Sequence, residues 1–169
     1  MGINIVKEDI TKIKCDCIVN AANRSLSDGG GVCGAIYKAA GRFKLKMACM
    51  KLKGCEVGQA KITEGFKLPT KFIIHTVGPV YKGNKETDDK LHDCYINSLE
   101  LAKSHGMHSI AFPVLSSGIY KYPIELATRI AIMSIQEWIC SNKDYSVDVT
   151  ICCLDEKVYD TCKHLLEQL

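Results

Sequence analysis

Two glycine-bearing segments and one carboxylate stand out as places where a ligand can be held. Asp28-Gly29-Gly30-Gly31-Val32-Cys33-Gly34-Ala35-Ile36 closely follows Asn20-Ala21-Ala22-Asn23. Three consecutive glycines let a backbone approach a ligand closely and accept positive φ angles. A helix opening near Val32 would present unpaired N–H groups and a positive dipole end, which suits phosphate oxygens. A plain flexible turn would use the same residues, so this stretch alone names no ligand. The second segment is Val114-Leu115-Ser116-Ser117-Gly118-Ile119-Tyr120. Amides from Ser116 to Ile119 would form a concave nest for another phosphate, and Tyr120 would close the loop over a sugar. Asp9-Ile10 offers a carboxylate acceptor able to read an amine on a base. Neither segment fits the GxxxxGK(S/T) phosphate loop, and no GxGxxG follows a strand.

Elements must hold these segments in place, and the apolar patterning supplies them. Strands are expected at Asn4 to Val6, Cys15 to Asn20, Gln59 to Thr63, Lys71 to Val77, Ser109 to Val114 and Val147 to Leu154. Continuous apolar runs such as Phe72-Ile73-Ile74 read as strands buried on both faces, the habit of sheets covered by helices. Thr87 is expected to cap a helix with Asp88 and Asp89 in its first turn. Its apolar positions Leu91, Cys94, Tyr95, Ser98, Leu99 and Ala102 keep helical spacing, and Gly106 is placed to end it. Pro123 suits a first helical position; Ala127, Ile130, Ala131, Ile135, Trp138 and Ile139 then form one stripe. A last helix runs from about Asp155 to Gln168. This alternation predicts a single α/β domain over residues 1–169, with a mixed or mostly parallel sheet between helices. In open sheets of this kind, ligands bind beyond the carboxyl ends of the strands, where all three segments fall.

Composition excludes several classes. Hydrophobic residues make up 47% of the 169 and charged residues 24%, ordinary values for a globular chain. No apolar run approaches the ~20 residues of a membrane span, and Met1 to Lys7 has no apolar run of the length a signal peptide needs. The net charge of +3 is small, and the lysines read as scattered solvated surface, so nucleic acid is disfavoured. Ten cysteines, most within apolar segments such as Cys15, Cys17, Cys94, Cys140, Cys152 and Cys153, read as buried reduced thiols in a cytoplasmic protein. No CxxC pair exists, so a structural metal is not expected.

In their order, Glu8-Asp9-Ile10-Thr11, Ile18-Val19-Asn20-Ala21-Ala22-Asn23, Gly29 to Gly41, His75-Thr76-Val77-Gly78-Pro79 and Ser116 to Tyr120 resemble the macrodomain family, which binds ADP-ribose. The resemblance spans essentially the whole chain and lies nearest the MacroD-like branch and its bacterial relatives. It implies a three-layer α/β/α fold with a mixed, mostly parallel sheet of six or seven strands. It also implies roles. Asp9 would accept from the adenine amino group, supported by the Ile10 amide, and Leu154 would pack on the base without π-stacking. Amides of Val32, Ser117, Gly118, Ile119 and Tyr120, with Ser116 in the same loop, would hold the diphosphate. Asn23, Gly30 and Gly31 would surround the distal ribose under Tyr120.

The chain departs from that pattern at Cys33, where hydrolytic relatives often carry an aspartate that positions or activates water. A thiol with a reference pKa near 8.5 is mostly neutral at pH 7 and accepts hydrogen bonds poorly. A helix N-terminus would favour the thiolate; alternatively Cys33 simply fits behind the ribose. Lys121 likewise replaces a common glycine. His75 reads as a core histidine, and His92, His105, His108 and His164 have no metal or triad spacing. The resemblance implies an ADP-ribosyl hydrolase using Asn23, Gly31 and Cys33 at the reacting end, acting on modified acidic side chains or on O-acetyl-ADP-ribose. No cofactor is implied. The expected partners are ADP-ribose or ADP-ribosylated proteins, met by a monomer. The alternative is a reader module without turnover; RNA or poly(A) binding stands third, for lack of paired aromatics.

Overall fold

Short apolar runs become the strands of one sheet: β1 Gly2–Val6, β2 Cys17–Ala21, β3 Ala60–Glu64, β4 Phe72–Thr76, β5 Ser109–Phe112 and β6 Asp148–Cys152. The computed structural model describes residues 2–169; of the expected domain, Met1 lies outside the described residues. Strand order is β1-β6-β5-β2-β4-β3, parallel throughout except for β3, which pairs antiparallel with β4 at one edge. Each strand ends within two residues of the run expected for it.

Five helices complete three layers: α1 Gly31–Ala40, α2 Arg42–Lys51, α3 Lys85–Ser104, α4 Ile124–Ser141 and α5 Glu156–Gln168. Strand side chains alternate between faces, and the two cores follow from that. Val19, Ile74, Phe112 and Ile151 point into the layer made by α3, α4 and α5. Ile18, Ile73 and Ala111 point to the layer of α1 and α2, against Ile36, Tyr37 and Leu45. Each such buried aliphatic or aromatic side chain contributes about 1.5–3 kcal/mol.

Three helix readings change. Asn84, not Thr87, caps α3: its Oδ1 accepts from the Thr87 N–H and Oγ1–H, both at 2.9 Å. Thr87 is attractive in sequence because it adjoins the acidic pair, but it already lies in the first turn. Pro123 is the N-cap of α4, with ψ at 132°, and Ile124 is the first helical residue. α2 has no counterpart in the periodicity, since Arg42-Phe43-Lys44-Leu45-Lys46-Met47 alternates like a strand. Only Leu45 and Cys49 of α2 are buried. All ten thiols are free; Cys140 is exposed, Cys15 is half-buried and the other eight are buried.

Candidate functional site

Because β1, β6, β5 and β2 are parallel neighbours, their carboxyl ends lie side by side on one edge of the sheet. Asp9 follows β1, Leu154 follows β6, the Ser116–Tyr120 loop follows β5, and Asn23 to Val32 follow β2. Chain segments far apart in sequence are thereby set in one row. Asp9 sits at the N-cap of a 3₁₀ turn, Ile10–Lys12, where its Oδ1 accepts from the Thr11 N–H at 2.9 Å and the Thr11 Oγ1–H at 2.7 Å. Those bonds, the hydroxyl's first, hold the carboxyl below its ordinary pKa. Among the described residues nothing donates to Asp9 Oδ2, and the Ile10 amide has no acceptor. Leu154 lies two residues beyond β6 and is 71% exposed.

The loop after β5 is braced from outside. Leu115 N–H donates to Tyr95 Oη, Tyr81 N–H to the Tyr120 carbonyl, and Tyr122 N–H to the Ser116 carbonyl. An added Cβ on Gly78 would fall 2.3 Å from Ser116 Oγ, so the His75–Pro79 stretch needs its glycine to pack here. With Ser116 and Lys121 both at φ +64°, the loop turns inward on itself. Each such non-glycine residue costs about 1–2 kcal/mol. Among the described residues the amides of Ser116, Ser117, Gly118, Ile119 and Tyr120 have no intramolecular acceptor. Consecutive unpaired amides of this kind make an anion nest.

The loop after β2 ends in a second open row. Gly30 is the N-cap of α1 and offers no side-chain acceptor, which leaves the first-turn amides of Gly31, Val32 and Cys33 open. Gly31 takes φ +59°, and a Cβ on Gly34 would meet the Gly29 carbonyl at 2.5 Å. Both positions therefore require glycine for the loop to fold back over the helix start. Asn23 is engaged within its own loop. Its Oδ1 accepts from Ser25 Oγ–H at 2.9 Å and the Ser27 N–H at 3.0 Å, and its Nδ2 donates to the Ser27 carbonyl at 3.0 Å.

Cys33 lies beneath this loop, 6% exposed, its Sγ 3.7 Å from Asn20 Nδ2 and 3.6 Å from the Ser27 carbonyl. Burial pushes the thiol pKa up, and the Asn20 contact opposes it only in part. The helix end does not produce a thiolate here. Asn20 also connects to His75, its direct neighbour in the β2–β4 register, through Nδ2 and Nδ1 at 3.1 Å. Thr63 Oγ1 donates to the Glu64 carbonyl at 3.2 Å and accepts from His75 Nε2 at 2.9 Å, which sets the proton on Nε2. His75 is wholly buried, which lowers its pKa to about 4. It is a satisfied core histidine paired with Asn20, not with Cys33.

Among the described residues three buried side-chain atoms lack a partner: Asn20 Oδ1, Thr70 Oγ1 and Ser116 Oγ. Ser116 belongs to the loop after β5, and Asn20 stands near the carboxyl end of β2, directly under the other loop through Cys33. An unmet buried polar atom costs about 1–3 kcal/mol, so each such atom calls for a partner such as a water or ion, or for a role in the site. Asn20 stands in the Asn20–Asn23 run, yet only its pairing with His75 across the sheet reveals this position. No three His, Cys, Asp or Glu side chains are grouped for a metal ion among the described residues.

Comparison with known proteins agrees with this fold. The Macro domain family model matches residues 19–131. A macro domain-containing protein of Chlorobaculum tepidum is 47% identical over 165 residues, covering 97% of this chain and 95% of that protein. The ADP-ribose glycohydrolase MACROD1 of Mus musculus is 45% identical over 163 residues, 93% of this chain and 50% of its own length. The Oceanobacillus iheyensis macrodomain, solved as a Gly-to-Val variant with ADPR, superposes with a TM-score of 0.92 at 40% identity and covers 97% of this chain and 91% of that one. A mixed six-stranded sheet between two helical layers, with its open amides at the carboxyl edge, and this degree of likeness lead to one conclusion: the chain belongs to the macro domain family.

Proposed function

We propose that this chain binds ADP-ribose and hydrolyses ADP-ribosyl esters, freeing modified aspartate and glutamate side chains or deacetylating O-acetyl-ADP-ribose. The observation that carries this reading is the pair of open amide rows, Ser116 to Tyr120 and the first turn of α1, at the ends of adjacent strands β5 and β2. A diphosphate is the anion that spans two such rows. Asp9 Oδ2 and the Ile10 amide then meet adenine beside Leu154, and Asn23, Gly30, Gly31 and Tyr120 enclose the distal ribose. The mouse relative's name, an ADP-ribose glycohydrolase, and the ADPR complex of the Oceanobacillus protein support the same ligand.

The reacting water lies between Asn23 and the diphosphate. Its oxygen bonds to C1″ as the bond from C1″ to the carboxylate oxygen breaks. The carboxylate leaves with the electron pair, and the water proton passes to a diphosphate oxygen and then to solvent. For the acetyl ester the water adds to the acetyl carbon, giving acetate and the ribose hydroxyl. Cys33, a neutral buried thiol, takes no proton in this scheme; catalysis rests on positioning and electrostatic stabilisation. No cofactor enters, the site is built from one chain acting as a monomer, and ten free thiols support a reducing, cytoplasmic setting.

That same neutral Cys33 favours the second reading, a reader that binds without turnover. A protein ADP-ribosylated on glutamate or aspartate, incubated with the wild type, Asn23→Ala and Cys33→Asp, separates the two. Release by the wild type that falls about a hundredfold or more in Asn23→Ala is expected of the hydrolase. Tight binding with release only in Cys33→Asp would make the protein a reader.

A further inference from the structure

Twenty-seven residues from Gly29 to Cys55 hold six cations, Lys38, Arg42, Lys44, Lys46, Lys51 and Lys53, and no acid. All six are exposed. The other 142 residues hold 16 cations against 19 anions, so this segment alone makes the protein net positive. The lysines read above as scattered are in this stretch a cluster, and they sit on and around α2. The same helix shows solvent an apolar stripe: Phe43 is 75% exposed, Met50 61% and Met47 44%. Their spacing, i, i+4 and i+7, places them on one face. Leu45 and Cys49 occupy the buried face. By helical geometry Lys46 flanks the stripe on one side and Lys44 and Lys51 on the other.

Between this face and the Ser25–Asp28 loop lies a groove of about 540 Å³, lined in part by Leu26, Asp28, Arg42, Phe43, Lys46 and Met50. Asp28, the acid in the lining, is already paired to Arg42 at 3.0 Å. The loop wall is the same one whose Ser25 and Ser27 fix Asn23. The groove therefore begins where a group attached to the distal ribose would leave the site.

We propose that the solvent face of α2 and this groove dock the acidic, aliphatic-containing polypeptide segment that carries the ADP-ribosyl group. The inference rests on the binding reading of the previous section and adds to it the class of protein substrate. Charge complementarity supports an acidic partner, because the ammonium groups of Lys44, Lys46 and Lys51 flank the stripe and the Arg42 guanidinium, paired with Asp28, lines the groove. Two methionines and one phenylalanine form an adaptable apolar surface suited to aliphatic side chains. Single-stranded nucleic acid would need successive exposed aromatic platforms; of the two aromatics that line the groove Phe43 is exposed and Tyr37 is buried. A two-fold pairing of the face with itself would set like charges against one another.

The test uses two exposed-surface variants, Phe43→Ser/Met47→Ser/Met50→Ser and Lys44→Glu/Lys46→Glu/Lys51→Glu, with folding checked by urea midpoint. Calorimetry with free ADP-ribose should give a Kd unchanged from wild type in both. KM for release from a protein modified within an acidic segment should rise about tenfold in both, with kcat retained and, for the lysine-reversal variant, the wild-type advantage fading in high salt. Binding of a short unmodified peptide of alternating glutamate and leucine should be lost in the lysine-reversal variant. Unchanged KM and unchanged peptide binding would overturn the proposal. So would poly(A) outcompeting the peptide, or self-association of the wild type that the variants abolish. If the wild type binds neither ADP-ribose nor modified protein, the ligand reading fails, and the peptide measurement still decides the docking face by itself.

Discussion

At Cys33 and His75 two titratable side chains sit within one buried cluster, and burial pushes each towards its neutral form. His75 gives a measurable stability signature. Its pKa is about 4 in the folded chain against 6.5 for the free side chain, so between those values the unfolded chain binds the extra proton. Stability from this source is fully present above pH 6.5, falls as pH drops through the window, and is gone below about pH 4. Its size is about 3 kcal/mol. Urea midpoints measured from pH 7 to pH 4.5 should therefore decline, and His75→Gln should flatten that decline; an equal decline in the variant would show that other groups cause it. The glycine runs, Asp9 and Cys33 are legible in sequence because each sits inside a contiguous motif. The Asn20–His75 pairing is not, because it joins residues 55 apart and depends on the β2–β4 register.

Helix boundaries turn on single hydrogen bonds that periodicity does not encode. All six strands are readable as apolar runs, α3 and α4 as helical stripes, and α5 as a span that the structure matches within one residue. The start of α3 lies three residues before the expected Thr87 cap, since Thr87 and Asn84 are both good capping types and the structure uses Asn84. Asn84→Ala should cost about 1 kcal/mol, seen as a lower urea midpoint with an unchanged slope. Thr87→Ala should also lose the hydroxyl bond to Asn84 but keep the backbone cap. If Thr87→Ala were the more damaging of the two, the cap assignment would be wrong. α2 is illegible in sequence for a different reason. Its inner face is two residues wide, and its outer face carries the large apolar groups, so the usual inside-out pattern is inverted.

On the scale of the whole molecule, a net charge of +3 averages a basic segment against an acidic remainder and so hides the polarity that bears on partners. The sheet order matters as much. Four parallel neighbours set Asp9, Leu154 and both amide rows along one edge, while the Trp138 indole lies buried, its Nε1–H donating to Glu100 Oε1 at 2.6 Å. Trp138 therefore reports global unfolding. ADP-ribose at about 100 times its Kd should add about 2.7 kcal/mol and raise Tm by roughly 5–10 °C, followed by Trp138 fluorescence. An unmoved Tm at saturating ligand would argue against the site.

The uneven burial of the thiols has a practical side. Cys140 is the exposed one of ten, and it lies at the far end of α4, an 18-residue helix whose first turn follows the Ser116–Tyr120 loop. At 1.5 Å per residue the helix places it roughly 24 Å from the start of α4. A maleimide linker would thus tether the protein to a sensor chip with its binding mouth facing outward, without any engineered handle.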